Sequence, residues 1–94
     1  MEKEFFNLSH KPLFCKVFKN EKNAKLLLNK YYDDNSNNIK FIKEINNQDY
    51  NGILLLVDGK LTILSVDKIN DIVIISKTIV DKNFNELQKQ LVFI

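Results

Sequence analysis

The sequence predicts an α+β domain, an antiparallel β-meander of three to five strands with one helix from each half of the chain packed on it. The prediction depends on three apolar, β-rich runs at 53–57, 61–66 and 72–75. Asp58-Gly59 separates the first two runs and suits a two-residue hairpin turn, because both residues tolerate a positive φ. A chain of 94 residues has room for one core, so we expect a single domain, 1–94.

The turn fixes the register of this hairpin. It pairs Val57 with Lys60, and the pairing continues to Ile53 with Leu64; directly paired residues share a face of the sheet. One face then carries Leu54, Leu56, Leu61 and Ile63, and the other carries Ile53, Leu55, Val57 and Leu64. A sheet with one solvated face alternates cleanly between apolar and polar residues, and this one does not. Each face therefore needs a cover.

The first predicted helix spans about 20–33. Asn20 suits the N-cap, because its side chain can accept hydrogen bonds from amides of the first turn. An apolar stripe at helical spacing is formed by Ala24, Leu27, Leu28 and Tyr31. The polar run 33–38 should end the helix.

The second predicted helix spans about 83–92. Asn83 and Glu86 have the spacing of a capping box, which is typical of a helix start. Its apolar stripe would comprise Phe84, Leu87 and Leu91. The chain then ends on apolar residues (91–94), as is usual for a segment docked into the fold.

Two further segments are predicted as strands. Residues 13–18 follow Pro12, which suits the start of an edge strand because proline cannot donate to the ladder. Residues 39–46 alternate apolar and charged side chains, which favours a half-buried strand. A short helix there would also bury Phe41, Ile42 and Ile45, but the strand is the preferred interpretation.

Composition argues against several classes of protein. The net charge is only +2, and every basic residue is lysine. Arginine is the usual residue for bidentate contacts to phosphate and guanine, so its absence argues against sequence-specific nucleic-acid reading. An AT-rich genome, compatible with a phage or mobile-element origin, would produce the same bias.

Neither the cysteine count nor the hydropathy indicates secretion or a membrane. A single cysteine, Cys15, excludes an internal disulfide. The longest apolar run has five residues, far short of the roughly 20 that span a bilayer. The N-terminus does not resemble a signal peptide. We expect a cytoplasmic protein that does not contact a membrane.

No motif in the sequence indicates catalysis. P-loop, dinucleotide-binding, HExxH and GxSxG patterns are absent. His10 and Cys15 could suggest a nucleophile pair, but a cysteine within an apolar run is more typical of a small buried side chain. We expect no enzymatic activity, no catalytic residue and no cofactor.

The polar segment after the first helix partly fits a calcium-binding loop. Positions 1, 3, 5 and 12 of the EF-hand pattern would be held by Asp33, Asn35, Asn37 and Glu44. Asn38 stands where the pattern has glycine, and no second loop exists to pair with this one. A polar connection rich in Asn and Asp is the preferred interpretation, and calcium binding stays open.

These features favour a small non-enzymatic interaction protein that binds and modulates or inhibits a protein partner. Inhibitors, antitoxins, immunity proteins and virus-encoded antagonists share its small size and its lack of a catalytic signature. The candidate partner-binding residues are Lys22, Lys25, Lys30, Tyr32, Asp33 and Asp34. If both helices cover one sheet face, the other face would contact a partner or a second copy in a homodimer.

The alternative function is nucleic-acid binding by residues 11–32. Six lysines lie in this segment, interleaved with Phe14, Phe18, Tyr31 and Tyr32. Lysine charge combined with aromatic stacking can bind single-stranded nucleic acid. A solvated helix beside core aromatics is the simpler interpretation. A small enzyme such as an endoribonuclease toxin ranks below both, because arginine is absent.

Overall fold

The computed structural model describes residues 11–94, which form two helices and one five-stranded antiparallel sheet. The helices are α1 (Lys11–Phe18) and α2 (Glu21–Tyr32). The strands are β1 (Ile39–Asn46), β2 (Asn51–Val57), β3 (Lys60–Ile69), β4 (Ile72–Val80) and β5 (Glu86–Phe93). They lie side by side in chain order. The α+β meander predicted from the sequence is confirmed.

The β2–β3 hairpin has the predicted register. Val57 lies opposite Lys60, and Ile53 lies opposite Leu64. Asp58 and Gly59 adopt φ values of 47° and 82°, as a two-residue turn with positive φ at both central positions requires. Local turn chemistry therefore determines which side chains share each face of the sheet.

Both helices pack on one face of the sheet, which we call the helix-covered face. Its core combines the helical residues Phe14, Phe18, Ala24, Leu27 and Leu28 with the strand residues Ile53, Leu55, Leu64, Val66, Val73 and Ile75. Cys15 lies at this interface, and its Sγ donates to the carbonyl oxygen of Gly52 at 3.4 Å. The main hydrophobic core is therefore the layer between the helices and the sheet.

Helix α2 begins and ends close to its predicted limits. Asn20 Oδ1 accepts hydrogen bonds from the amides of Lys22 and Asn23 at 3.0 and 3.3 Å. Asp33 ends the helix in the left-handed region, with φ 55°. Glu21 Oε2 accepts from the amide of Phe41 at 3.0 Å, so the first turn of α2 is tied to edge strand β1.

The strand predicted over residues 13–18 is wrong, because these residues form α1. Pro12 lies in the first turn of that helix, where its missing amide donor breaks no helical bond. Phe14 and Phe18 are four residues apart, so both rings reach the core on one face, with centroids 4.8 Å apart.

The helix predicted over residues 83–92 is also wrong, because this segment forms β5. Asp81 Oδ1 accepts from the amides of Asn83 and Asn85 at 2.8 and 3.0 Å. These bonds close a polar turn where the capping box predicts a helix start. The segment then pairs with β4, so long-range pairing outweighs helical spacing. The strand predicted over 39–46 is confirmed as β1.

Gly52→Ala is expected to destabilise the fold more than Gly59→Ala. A Cβ on Gly52 would lie 1.9 Å from the backbone oxygen of Leu64, so β2 and β3 would have to shift, at a cost of about 2–3 kcal/mol. A Cβ on Gly59 meets no described atom within 4 Å, and its positive φ costs alanine about 1 kcal/mol. Urea unfolding measures both variants. Equal midpoints would contradict the close strand contact at Gly52.

Candidate functional site

The sheet face opposite the helices, which we call the distal face, has a small buried core. In the described part of the chain this core comprises Ile45, Tyr50, Leu54, Ile63 and Val80. Tyr50 Oη donates to Glu86 Oε1 at 3.0 Å. Tyr50 precedes β2 and Glu86 begins β5, so this bond spans β3 and β4 and indicates that the twisted sheet curls toward the distal face. Burial, together with the Glu86 carboxylate, raises the pKa of Tyr50.

A patch of exposed apolar side chains lies beside this core. We call it the distal patch; it comprises Ile69, Ile72, Leu91 and Phe93, with exposed fractions of 58, 48, 49 and 64%. Ile69 lies opposite Ile72 and Phe93 lies opposite Ile74, so these side chains share the distal face. A contiguous exposed apolar surface is typical of a contact site.

Two polar side chains of β5, those of Gln88 and Gln90, lie on the helix side of the sheet. Gln88 and Gln90 lie opposite Ile79 and Lys77, which belong to the helix-covered face. The alternation of side chains therefore places Leu91 and Phe93 on the distal face. The helices have their main sheet contacts with β1 and β2, and β5 is at the far edge of the sheet. The helices therefore bury little of β5, and its apolar side chains need not face them.

Among residues 11–94, no strand pairs with the backbone groups on the outer edge of β5. Val73 and Ile94 exchange both backbone hydrogen bonds, at 3.3 and 2.8 Å, and bonded and non-bonded pairs alternate along an antiparallel ladder. The residues bonded to β4 are then Gln88, Gln90 and Val92, and the residues whose backbone groups point away from the sheet are Lys89, Leu91 and Phe93. Within residues 11–94, β5 pairs with β4 alone.

The other edge strand, β1, is protected. Its ladder is interrupted by a bulge between Phe41 and Lys43, and the amide of Phe41 is bonded to Glu21. Bulges and covered backbone groups are the usual protections of a sheet edge. The register of β5 also shifts, between the partners of Ile79 and Val80, but only at the first residues of that strand. Residues 88–93 of β5 therefore form the more regular and more open of the two edges.

The structure divides the six sequence-predicted residues into two groups. Lys22 and Lys25 lie on the exposed side of α2 beside Leu26, which is 68% exposed. With Asn29 they line a shallow depression of about 410 Å³. Lys30 Nζ lies 5.3 Å from the ring centroid of Tyr31. This group offers positive charge around one apolar side chain.

The second group comprises Tyr32, Asp33 and Asp34. Tyr32 and Asp34 contact Lys77, a residue that the sequence analysis did not single out. Lys77 Nζ lies 2.9 Å from Asp34 Oδ2 and 5.8 Å from the ring centroid of Tyr32. Tyr32 Oη donates to the carbonyl oxygen of Ile75 at 2.7 Å, and burial raises the pKa of Tyr32. Asp33, between these residues, ends α2. Tyr32 and Asp34 thus hold the end of α2 against β4.

Asp34 keeps its charge although it is partly buried. Burial would raise its pKa, but hydrogen bonds from the Ser36 hydroxyl, the Lys77 ammonium and the Ser36 amide outweigh burial and lower it. The side chain of Lys77 is 9% exposed, so the pair neutralises a nearly buried ammonium group. Lys77 has a sequence signal, because the alternation of Val73, Ile75 and Ile79 puts it on the same face.

Two residues of the EF-hand-like pattern, Asn35 and Glu44, have their described partners outside the 33–44 segment. Asn35 Oδ1 accepts from Asn29 Nδ2 at 2.6 Å, and Glu44 lies within β1, opposite Ile53. Among the described residues, no group of three or more His, Cys, Asp or Glu side chains could hold a metal ion.

The suggested nucleophile pair is not brought together by any described contact. His10 lies outside the described residues. Cys15 is buried, and burial followed by the nearby Glu44 charge raises the pKa of its thiol. A thiol with a raised pKa is a poor nucleophile, so the environment of Cys15 is that of a core residue.

Comparisons of the chain with protein-family models, curated proteins and solved structures found no match in any of the three. No helix within residues 11–94 is long and apolar enough to cross a membrane. The fold and its surfaces define a small α+β domain with exposed apolar side chains on one sheet face, and we infer function from that geometry.

Asp34→Asn is expected to destabilise the protein by about 3 kcal/mol at pH 7, because it leaves the nearly buried Lys77 ammonium without its carboxylate. The pKa of Asp34 is lower in the folded chain than in the unfolded chain. The wild type therefore has this stability above about pH 4 and loses it as pH falls through the folded-state pKa. The difference between variant and wild type, measured by urea unfolding, should narrow in acid.

The double variant Asp34→Asn/Lys77→Met provides the control. Replacing both charges leaves neither group unpaired, so we expect it to recover most of the lost stability. A double variant no more stable than the single one, or a difference that persists unchanged at pH 3, would contradict the role of this pair.

Proposed function

We propose that this protein is a small non-enzymatic interaction protein that binds a protein partner through the distal patch. The observation that supports this is the joint exposure of Ile69, Ile72, Leu91 and Phe93 on the sheet face opposite α1 and α2. Monomeric soluble proteins rarely leave such contiguous apolar surface in water. A partner that covers it would gain the free energy of its burial.

The patch has the composition expected at the centre of a protein interface. Phe93 supplies an aromatic anchor among aliphatic side chains, and aromatic residues are enriched at interface cores. Charged side chains occur at its margin: Asp67 lies opposite Ile74 on the same face, and Lys89 precedes Leu91 by two residues. The matching partner surface is an apolar depression with a polar rim.

Binding of this kind acts by occupying a surface of the partner. A domain of this size can cover one standard contact area, of roughly 800 Å² per partner. It can do so without a conformational change. Inhibition or modulation of the partner, as by inhibitors, antitoxins and immunity proteins, is the activity that this geometry supports best.

A second candidate, nucleic-acid binding, is favoured by the charge of the helical layer. Residues 11–32 carry six lysines and one acidic residue, whereas residues 39–94 carry equal numbers of each. However, Phe14 and Phe18 are buried in the core and cannot stack on bases. Tyr31 and Tyr32 are only partly buried against the core. Binding would then depend mainly on charge, so a mobility shift with single-stranded DNA should weaken steeply with salt.

Phe93→Glu is expected to abolish partner binding, whereas Leu26→Glu is not. Both variants place a carboxylate at an exposed apolar position, so each should change the free energy of unfolding by no more than about 0.5 kcal/mol. The immobilised chain should capture a protein from a lysate of the source cell, and Phe93→Glu alone should lose it.

The pattern of capture by these variants shows which surface of the protein binds the partner. Capture that Phe93→Glu leaves intact would contradict binding through the distal patch. Loss with Leu26→Glu alone would assign binding to the exposed side of α2. Binding of nucleic acid that Lys22→Glu/Lys25→Glu removes, with no protein captured, would favour the second candidate.

A further inference from the structure

We propose that a second copy of this chain pairs with β5, edge to edge and antiparallel, about a twofold axis through Gln90. The resulting dimer contains one continuous ten-stranded sheet. This inference rests on the same exposed strand as the proposed function, but it uses the backbone edge of β5 instead of the apolar side chains. The two can therefore fail separately.

The backbone of β5 is suited to this pairing. Lys89 and Leu91 direct their amide and carbonyl groups away from β4, as the bonded pair of Val73 and Ile94 requires. With Gln90 opposite Gln90 of the second copy, Lys89 lies opposite Leu91 of that copy. Each of these pairs can exchange both backbone hydrogen bonds, which gives about four bonds across the interface.

Symmetry and charge select this register. Directly paired residues share a face. A twofold axis perpendicular to the sheet therefore has to lie midway between two copies of the same residue, and we name the axis by that residue. An axis through Lys89 would oppose two ammonium groups directly, which is destabilising. An axis through Gln90 opposes Lys89 to Leu91, and the aliphatic part of the lysine can cover the leucine. An axis through Leu91 would also avoid the opposed lysines, but Gln90 lies nearer the middle of β5 (Glu86–Phe93), so an axis there pairs more of the strand.

The two sheet edges indicate that the second copy binds at β5 and not at β1. The β1 edge is interrupted by its bulge and by the bond from Phe41 to Glu21. Between residues 87 and 93, β5 has no proline and a single charged side chain, Lys89. The register of β5 shifts only at its start, between the partners of Ile79 and Val80, so residues 88–93 form a regular edge. A regular edge with so little charge is a ready template for another strand.

The pairing changes the contact face of the protein. A twofold axis perpendicular to the sheet leaves the distal face of each copy on the same side of the joined sheet. The distal patches of the two copies therefore become neighbours on one surface. Edge pairing buries less than the roughly 800 Å² per partner of a standard interface. We therefore expect a weak dimer that depends on protein concentration and is strengthened by a partner that covers both patches.

Disulfide trapping of Gln90→Cys tests this arrangement. Gln90 and its symmetry mate form a non-hydrogen-bonded pair with Cα atoms about 4.5 Å apart, a separation that a disulfide can bridge. In a Cys15→Ala background, oxidation of Gln90→Cys should link most chains into dimers. The matched control is Gln88→Cys, on the same strand and the same face, but too far from the axis to pair with itself.

The proposal predicts dimers for Gln90→Cys and monomers for Gln88→Cys at equal concentration. Equal crosslinking of both variants, or none with Gln90→Cys, would overturn it. In addition, Lys89→Pro should abolish the dimer seen by sedimentation, because it blocks an outward amide while the bonds to β4 remain. A dimer that survives Lys89→Pro would also overturn the proposal, and neither result affects the Phe93→Glu test of partner binding.

Discussion

A sheet with two apolar faces, of which α1 and α2 cover one, is the constraint on which the rest of this structure depends. The Asp58-Gly59 turn pairs Leu54 with Ile63 and Ile53 with Leu64, so successive pairs belong to opposite faces and each face must leave water. The helices cover one face. Curling of the sheet, held by the bond from Tyr50 to Glu86, encloses part of the other, and the distal patch is what stays exposed.

Helix α2 does not extend over β5, because it is fixed at both ends. Glu21 at its start is bonded to β1, and Tyr32 and Asp34 at its end are bonded to β4. A helix of 12 residues is about 18 Å long, whereas the distance from β1 to β4 is about 14 Å and β5 lies about 5 Å further. The length of α2 is therefore used between β1 and β4, and β5 extends past it.

Features set by local chemistry were predictable from the sequence, whereas those set by distant partners were not. The hairpin register follows from Asp58-Gly59, and the start of α2 follows from Asn20. In contrast, residues 83–92 have helical spacing but bond to β4, and Asp34 meets Lys77 from 43 positions away. The second apolar face was evident from the register. However, Leu91 was assigned to a helix and Phe93 to a docked chain end, so the candidate partner-binding residues were predicted around α2.

Amide hydrogen exchange along β5, measured at rising protein concentration, tests most directly whether this strand is the open contact edge. The amides of Gln88, Gln90 and Val92, which bond to β4, should be protected at every concentration. The amides of Lys89, Leu91 and Phe93 should exchange freely in dilute protein and become protected as the concentration rises. Protection of this second set already in dilute, monomeric protein would contradict the account, because it would mean that the chain covers its own edge.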